Sequence, residues 1–284
     1  MRPEQTDPTP RTRGIDIQPF PKADGLAFVA RARAHRAALH YLLTADVTAA
    51  RRLMAMSPKT LSLTGFIAVS VARAAAEAPI VHSYRDWRGR LVTHRRVDVM
   101  IPIETQTGDG PRLIPHVVRN VDTRDVAEVS SELLSVKDAP AVGILGSLHR
   151  FTGVPGLARA AATVADRSTR SRQRIGTVLL DTTGMRDVGE VFGVAAPTPM
   201  PLHVMVGSIR PDQHQMSHVI EQREVLNLTL TFDRGIVSTA QAARFTSRLC
   251  FAIEHAEALQ SHVAPSVPDN PFLEREASAS SDSV

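Results

Sequence analysis

The clearest hydrophobic rhythm in the chain lies at Val225–Phe232, which reads Val-Leu-Asn-Leu-Thr-Leu-Thr-Phe. Apolar side chains at every second position predict a strand with one face on a core and one turned away from it. Ala38–Val47 is apolar and rich in β-compatible residues, and it predicts another strand. Thr48–Met56 changes to helical spacing. Pro58 and Lys59 are expected to open a second helix, Leu61–Ala78, whose apolar and small residues recur all round, as in a helix covered on most sides. Pro79 stops it. Short strands follow at Leu91–Val92, Val97–Ile103 and Leu113–Val118. Asp122 is read as the N-cap of a helix over Val126–Val136, with Asp125 in its first turn. Residues 144–165 are expected to carry one or two helices. Strands at Gly176–Leu180 and His203–Ile209 and a last helix over Thr239–Leu259 complete the reading. Helices and strands alternate without a strict βαβ rhythm. The fold class is therefore α/β in the α+β two-layer sense, a mixed sheet with helices packed on one face.

Composition sharpens this picture. Of 284 residues, 43% are hydrophobic but only 4% aromatic, so the core must be built from Ala, Val, Leu and Ile. Residues 1–24 read as a disordered or loosely docked arm, 25–262 as one continuous domain, and 263–284 as a disordered polar tail. No run reaches the ~18 apolar residues that span a bilayer, and the N-terminus lacks a secretory pattern, so no membrane association and a cytoplasmic address are expected. The single cysteine, Cys250, sits in an apolar run and reads as a packing thiol. The net charge of +4 comes almost entirely from scattered arginines. The one cluster, 167–174, has no interleaved aromatic to stack on bases; it reads as a solvated loop, and no nucleic-acid partner is expected.

Three segments, in order, resemble the catalytic domain of the acyltransferase subunit of 2-oxo-acid dehydrogenase complexes, the dihydrolipoamide acyltransferase family, which has the chloramphenicol-acetyltransferase-like fold. The first runs from Leu61-Ser-Leu-Thr-Gly-Phe-Ile-Ala-Val-Ser-Val-Ala-Arg-Ala through Val97-Asp-Val-Met-Ile-Pro-Ile to Pro111-Arg-Leu-Ile-Pro-His-Val-Val-Arg. The second is Gly176-Thr-Val-Leu-Leu-Asp-Thr-Thr-Gly-Met. The third is Leu228-Thr-Leu-Thr-Phe-Asp-Arg-Gly-Ile-Val-Ser-Thr-Ala-Gln-Ala-Ala-Arg-Phe. The resemblance covers roughly residues 38–260. It implies a homotrimer with its site between subunits. It also implies a thioester substrate, of coenzyme A or a carrier protein, and no covalently bound cofactor. No segment resembles a lipoyl domain, so a stand-alone acyltransferase-family protein is expected.

The same resemblance puts the expected chemistry in conflict with the residues. In the family a histidine, followed four residues on by Asp and then Gly, takes the proton from a thiol or hydroxyl that attacks the thioester. The matching position here is Arg234, which has no lone pair to accept a proton; Ser238 and Thr239 replace the Asp and Gly. The family's oxyanion-binding Ser matches Asp181, whose carboxylate would repel the developing charge. Loss of one such donor costs ~10²–10³ in rate, and loss of the base roughly 10²–10⁴. The site positions are therefore Arg234, Ser238 and Asp181 in a degenerate or rewired protein, with Arg234 expected to pair with Asp181 of a neighbouring subunit. The alternative is an active thioester-dependent enzyme using a relocated base, for which His116 and His203 are the candidates. His82 and Asp86 share the His-x-x-x-Asp spacing but fall where the family has a surface turn. His214 and His218 are spaced like metal ligands on a helix, but the segment between the predicted strands reads as a loop or hairpin, so no metal is expected.

Overall fold

A computed structural model of the chain describes residues 37–86, 88–107, 110–137, 169–182, 189–194, 198, 200–216 and 219–262. The expected arm and tail, the helices predicted within 144–165, and His218 lie outside the described residues. Strand β1 (Ala38–Asp46) leads into helix α1 (Thr48–Met56), then helix α2 (Leu63–Glu77) and a 3₁₀ turn, Pro79–His82. Two short strands, β2 (Tyr84–Arg85) and β3 (Leu91–Val92), form a separate ribbon. Strands β4 (Val99–Thr107) and β5 (Gly110–Val118) precede helix α3 (Val126–Lys137), helix α4 (Thr169–Ile175) and strand β6 (Val178–Thr182). Strands β7 (Leu202–Met216) and β8 (Val219–Asp233) form a long hairpin, and helix α5 (Thr239–Glu254) follows.

Six of the strands make one mixed sheet in the order β1-β8-β7-β6-β4-β5. β6 is parallel to both neighbours; β1–β8, β7–β8 and β4–β5 are antiparallel. The period-two alternation sets what each face carries. Leu228, Leu230 and Phe232 of β8, Leu202 and Val204 of β7, Val178 and Leu180 of β6, and Val99 and Ile101 of β4 all enter the main core. Helices α2, α3 and α5 cover that face with Phe66, Ile67 and Val69, Val126 and Val129, and Phe245, Leu249 and Ile253. With so few aromatics, their placement matters: Phe232 meets both Tyr41 and Phe245 edge to face. α2 is buried from Gly65 to Ala72, in keeping with its apolar residues all round. The opposite sheet face carries a smaller cluster, Met100, Val117, Leu179 and Met200, against which Ile175 of α4 packs. The two-layer mixed sheet with its main helices on one face is as the sequence predicts.

Several local expectations are corrected. α2 starts at Leu63 under a Ser62 cap that accepts from Gly65 N, instead of at Pro58 and Lys59. The cap of α3 is Asp125, whose Oδ1 accepts from Glu128 N at 2.7 Å. Asp122 instead sits in a 3₁₀ turn and accepts from Val97 N at 3.0 Å, tying that turn to the entry of β4. The arginine cluster contains α4, with Arg172 only 1% exposed and its guanidinium 5.0 Å from the Tyr84 ring centre. A cation buried this way is a packing element and no solvated loop. His82 and Asp86, expected at a surface turn, are both buried: Nδ1 of His82 bonds the Thr177 hydroxyl, and Asp86 accepts from Arg88 N, Arg90 N and Arg90 Nε. Cys250 is partly buried against the core, and burial first, then Glu254, pushes its thiol up to about 11.

Candidate functional site

The corner where β8 passes into α5 is fixed by main-chain and capping bonds. Asp233 Oδ1 accepts from Gly235 N at 2.9 Å, and its carbonyl accepts from Ile236 N and Val237 N at 3.0 and 2.9 Å. Arg234 N donates to Ala37 O at 3.2 Å, which pins the turn to the start of β1. The Arg234 side chain is exposed. Ser238, four residues on, is the N-cap of α5: its Oγ accepts from Gln241 N at 3.3 Å, while Gln241 Oε1 accepts from Ser238 N at 2.9 Å. This reciprocal capping box occupies Ser238 with the helix terminus. It is not aimed at supporting a neighbouring base.

Asp181 lies on β6 opposite Met205 of β7. Its neighbours in sequence, Leu180 and Val178, enter the main core, so alternation turns Asp181 to the opposite sheet face, beside Leu179. The carboxyl is half-buried. Burial pushes it above the ordinary 3.8, and a hydrogen bond from the Thr182 backbone offsets part of that rise.

His203 faces the same way as Asp181. In the ladder it lies between Leu179 of β6 and Thr231 of β8, and Thr231 in turn lies opposite His40 of β1. Nδ1 of the exposed His40 bonds the Thr231 hydroxyl at 2.9 Å. His203 itself is 2% exposed, and among the described residues neither ring nitrogen has a hydrogen-bond partner. Burial, helped by the nearby His40 imidazole, lowers it to about 4, so it is neutral at physiological pH. It lines a cavity of about 20 Å³ with Ala37, Ala38, Thr198, Met200, Thr231, Phe232 and Asp233. The Thr198 hydroxyl is also buried with no partner among the described residues. The cavity thus adjoins the Asp233–Arg234 corner.

His116 lies on the other side of the sheet. It pairs with the core residue Ile101 in the β4–β5 register and turns toward α3, where Nε2 meets Glu132 Oε1 at 2.7 Å. Arg124 Nη1 donates to the second oxygen of the same carboxylate. Burial alone would raise the Glu132 carboxyl, but hydrogen bonds from Arg124 and His116, with their charge, hold it below the ordinary 4.5. The structure therefore does not bring the two candidate bases together: His203 shares the face of Asp181, and His116 sits behind it. His214 is on strand β7 opposite Glu221, not on a helix. Among the described residues, no group of three or more His, Cys, Asp or Glu could share a metal ion, and no helix is long and apolar enough to cross a membrane.

Sequence reasoning missed Thr198, His40, Glu132 and Arg124. Glu132 and Arg124 share neither a motif nor a strand with His116, and only the packing of α3 on β5 joins them. Period-two alternation back from Val225–Phe232 did carry the signal for Thr231, and pairing then brings in His40.

The sheet order, with its two outer antiparallel pairs and central parallel strand, and the helices on one face define the chloramphenicol-acetyltransferase-like fold of acyltransferases. Among solved structures, the cubic core of the pyruvate dehydrogenase multienzyme complex is 18% identical with a TM-score of 0.62, over 90% of this chain and 98% of that one. The dihydrolipoamide acetyltransferase of Azotobacter vinelandii, studied for the parts a serine, a histidine and an asparagine play in its catalytic mechanism, gives 0.63 at the same identity and coverage. A chloramphenicol acetyltransferase gives 0.50 at 16% identity, over 84% of this chain and 98% of that one. No family model matches the chain, and no curated protein matches it in sequence.

Proposed function

We propose that this chain is a non-catalytic member of the acyltransferase fold, a trimer whose inter-subunit cleft binds but does not turn over a thioester. The observation that carries the reading is the β8–α5 corner. Arg234, the position that the resemblance matches to the family's histidine, is exposed at that corner, and Ser238 is engaged in capping α5. Asp181, on the strand that matches the family's oxyanion-binding segment, adds a carboxyl where a neutral donor is needed. In the proposed trimer Arg234 of one subunit pairs with Asp181 of the next.

The test is thiol release from acetyl-coenzyme A, followed with a thiol-reactive dye. The natural chain is expected to show no turnover above the uncatalysed rate. The triple variant Arg234→His, Ser238→Asp, Thr239→Gly restores the base and its partner, and aspartate also caps a helix, so α5 keeps its terminus. Turnover appearing only in the triple variant supports the reading. Turnover by the natural chain that survives Arg234→Ala overturns it. The Glu132-held imidazole of His116 favours one second reading, a relocated base. That reading predicts turnover by the natural chain that is abolished by His116→Ala and retained in His203→Ala.

A further inference from the structure

The cavity beside His203 holds polar groups that the fold leaves unsatisfied. A neutral imidazole presents one N–H donor and one lone pair, and at His203 both nitrogens are buried with no partner among the described residues. Thr198 adds a buried hydroxyl in the same state. An orphaned buried polar group typically costs ~1–3 kcal/mol, and buried polar side chains nearly always find a partner, ordered water included. The cavity measures about 20 Å³, and one water needs ~10–15 Å³ measured this way, with two to four polar partners. His203, Thr198 and Thr231 supply three. The volume suits one water, and a dry cavity is characteristic of wholly apolar walls.

We propose that this cavity is a binding site for one ordered water molecule, which joins the buried His203 and Thr198 to Thr231. Through the Thr231 hydroxyl the line continues to the exposed His40, 2.9 Å away. The result is a hydrogen-bonded path across three strands, from a solvent-facing imidazole to a buried one. The water completes the polar side of the Asp233–Arg234 corner, whose Arg234 N–H is tied to Ala37, itself part of the cavity wall. The proposal stands whether or not the chain catalyses.

The direct test is a crystal structure of the full chain at better than about 1.2 Å, a resolution at which hydrogens begin to show. The expected result is one water within hydrogen-bond distance of a His203 nitrogen and of the Thr198 or Thr231 hydroxyl. Dry density, or a protein atom bonded directly to His203, overturns the proposal. A second arm measures thermal unfolding of His203→Phe and Thr198→Val. A ring of similar shape without nitrogens gains if the site is dry and loses if it holds water. His203→Phe is therefore expected to lower Tm by about 2–4 °C, with Thr198→Val in the same direction. An unchanged or raised Tm in His203→Phe counts against the water. Should that variant not fold, the density in the natural protein decides alone.

Discussion

Ser238 sits in a reciprocal capping box at the start of α5. Its oxygen satisfies an otherwise unpaired N–H at the start of α5, and Gln241 returns the bond. Removal of such a cap costs about 1 kcal/mol. Ser238→Ala is therefore expected to lower Tm by roughly 2–4 °C, whereas Ser238→Asp keeps the natural midpoint; an unchanged Tm in Ser238→Ala would show that the cap contributes nothing. Glu132 makes a second residue-level prediction. Its carboxyl lies below its ordinary value in the fold, so its contribution to stability is fully present above about 4.5 and is lost as pH falls through the lower folded value. Urea midpoints of the natural chain and Glu132→Gln are expected to differ at neutral pH and to converge under acid. A gap that stays constant down to pH 3 would show that Glu132 is not the titrating group.

At the scale of elements, what was legible depended on whether the apolar pattern alone decided the structure. α1 was read to its termini, and the alternating leucines of β8 placed the strand and its buried face, because burial of one face fixes the phase. The outer half of the β7–β8 hairpin is legible in the sequence only as a loop or hairpin, without strand bounds. From Pro211 to Met216 and from Val219 to Glu224 the ladder is held by main-chain pairing of mostly polar residues, which leaves no hydrophobic period to detect. The segment of α4 reads as a solvated loop because its central arginine is a core residue, against the usual fate of that side chain. At the site, the resemblance singles out Arg234, Ser238 and Asp181, but the surroundings of His116 and His203 are not legible in the sequence, since they come from other strands and helices. Helix crossing gives a prediction here. A Cβ on Gly65 of α2 would lie 2.5 Å from Ser130 Oγ of α3 and 2.9 Å from Ser62 Oγ. Alanine favours helix by about 1 kcal/mol over glycine, yet Gly65→Ala is expected to lower Tm, because the short serine side chains cannot move away without breaking the Ser62–Ser130 bonds. A rise in Tm would mean that α2 and α3 separate freely.

For the whole molecule, the proposed inter-subunit pair of Arg234 and Asp181 is open to a double-mutant cycle. Analytical ultracentrifugation of the natural chain at micromolar concentration is expected to give three times the chain mass. Arg234→Ala and Asp181→Asn should each weaken association by up to roughly tenfold, and the double variant should be no weaker than the worse single one. Independent, additive losses, or a monomer throughout, would remove the pair from the interface. The hairpin has its own consequence at this scale. β1 covers β8 only from Val225 onward, and β6 covers β7 only as far as Val206. Beyond Ser208 and Glu224, which Val191 and the start of α1 still bond, the two strands pair among the described residues only with each other, and the charges of Asp212, Glu221 and Arg223 discourage another chain from adding there. Deuterium uptake should therefore fall in steps along one continuous strand, fastest near Val219, slower at Glu224 and slowest at Leu230. A single pair of strands would then report where the packed interior ends.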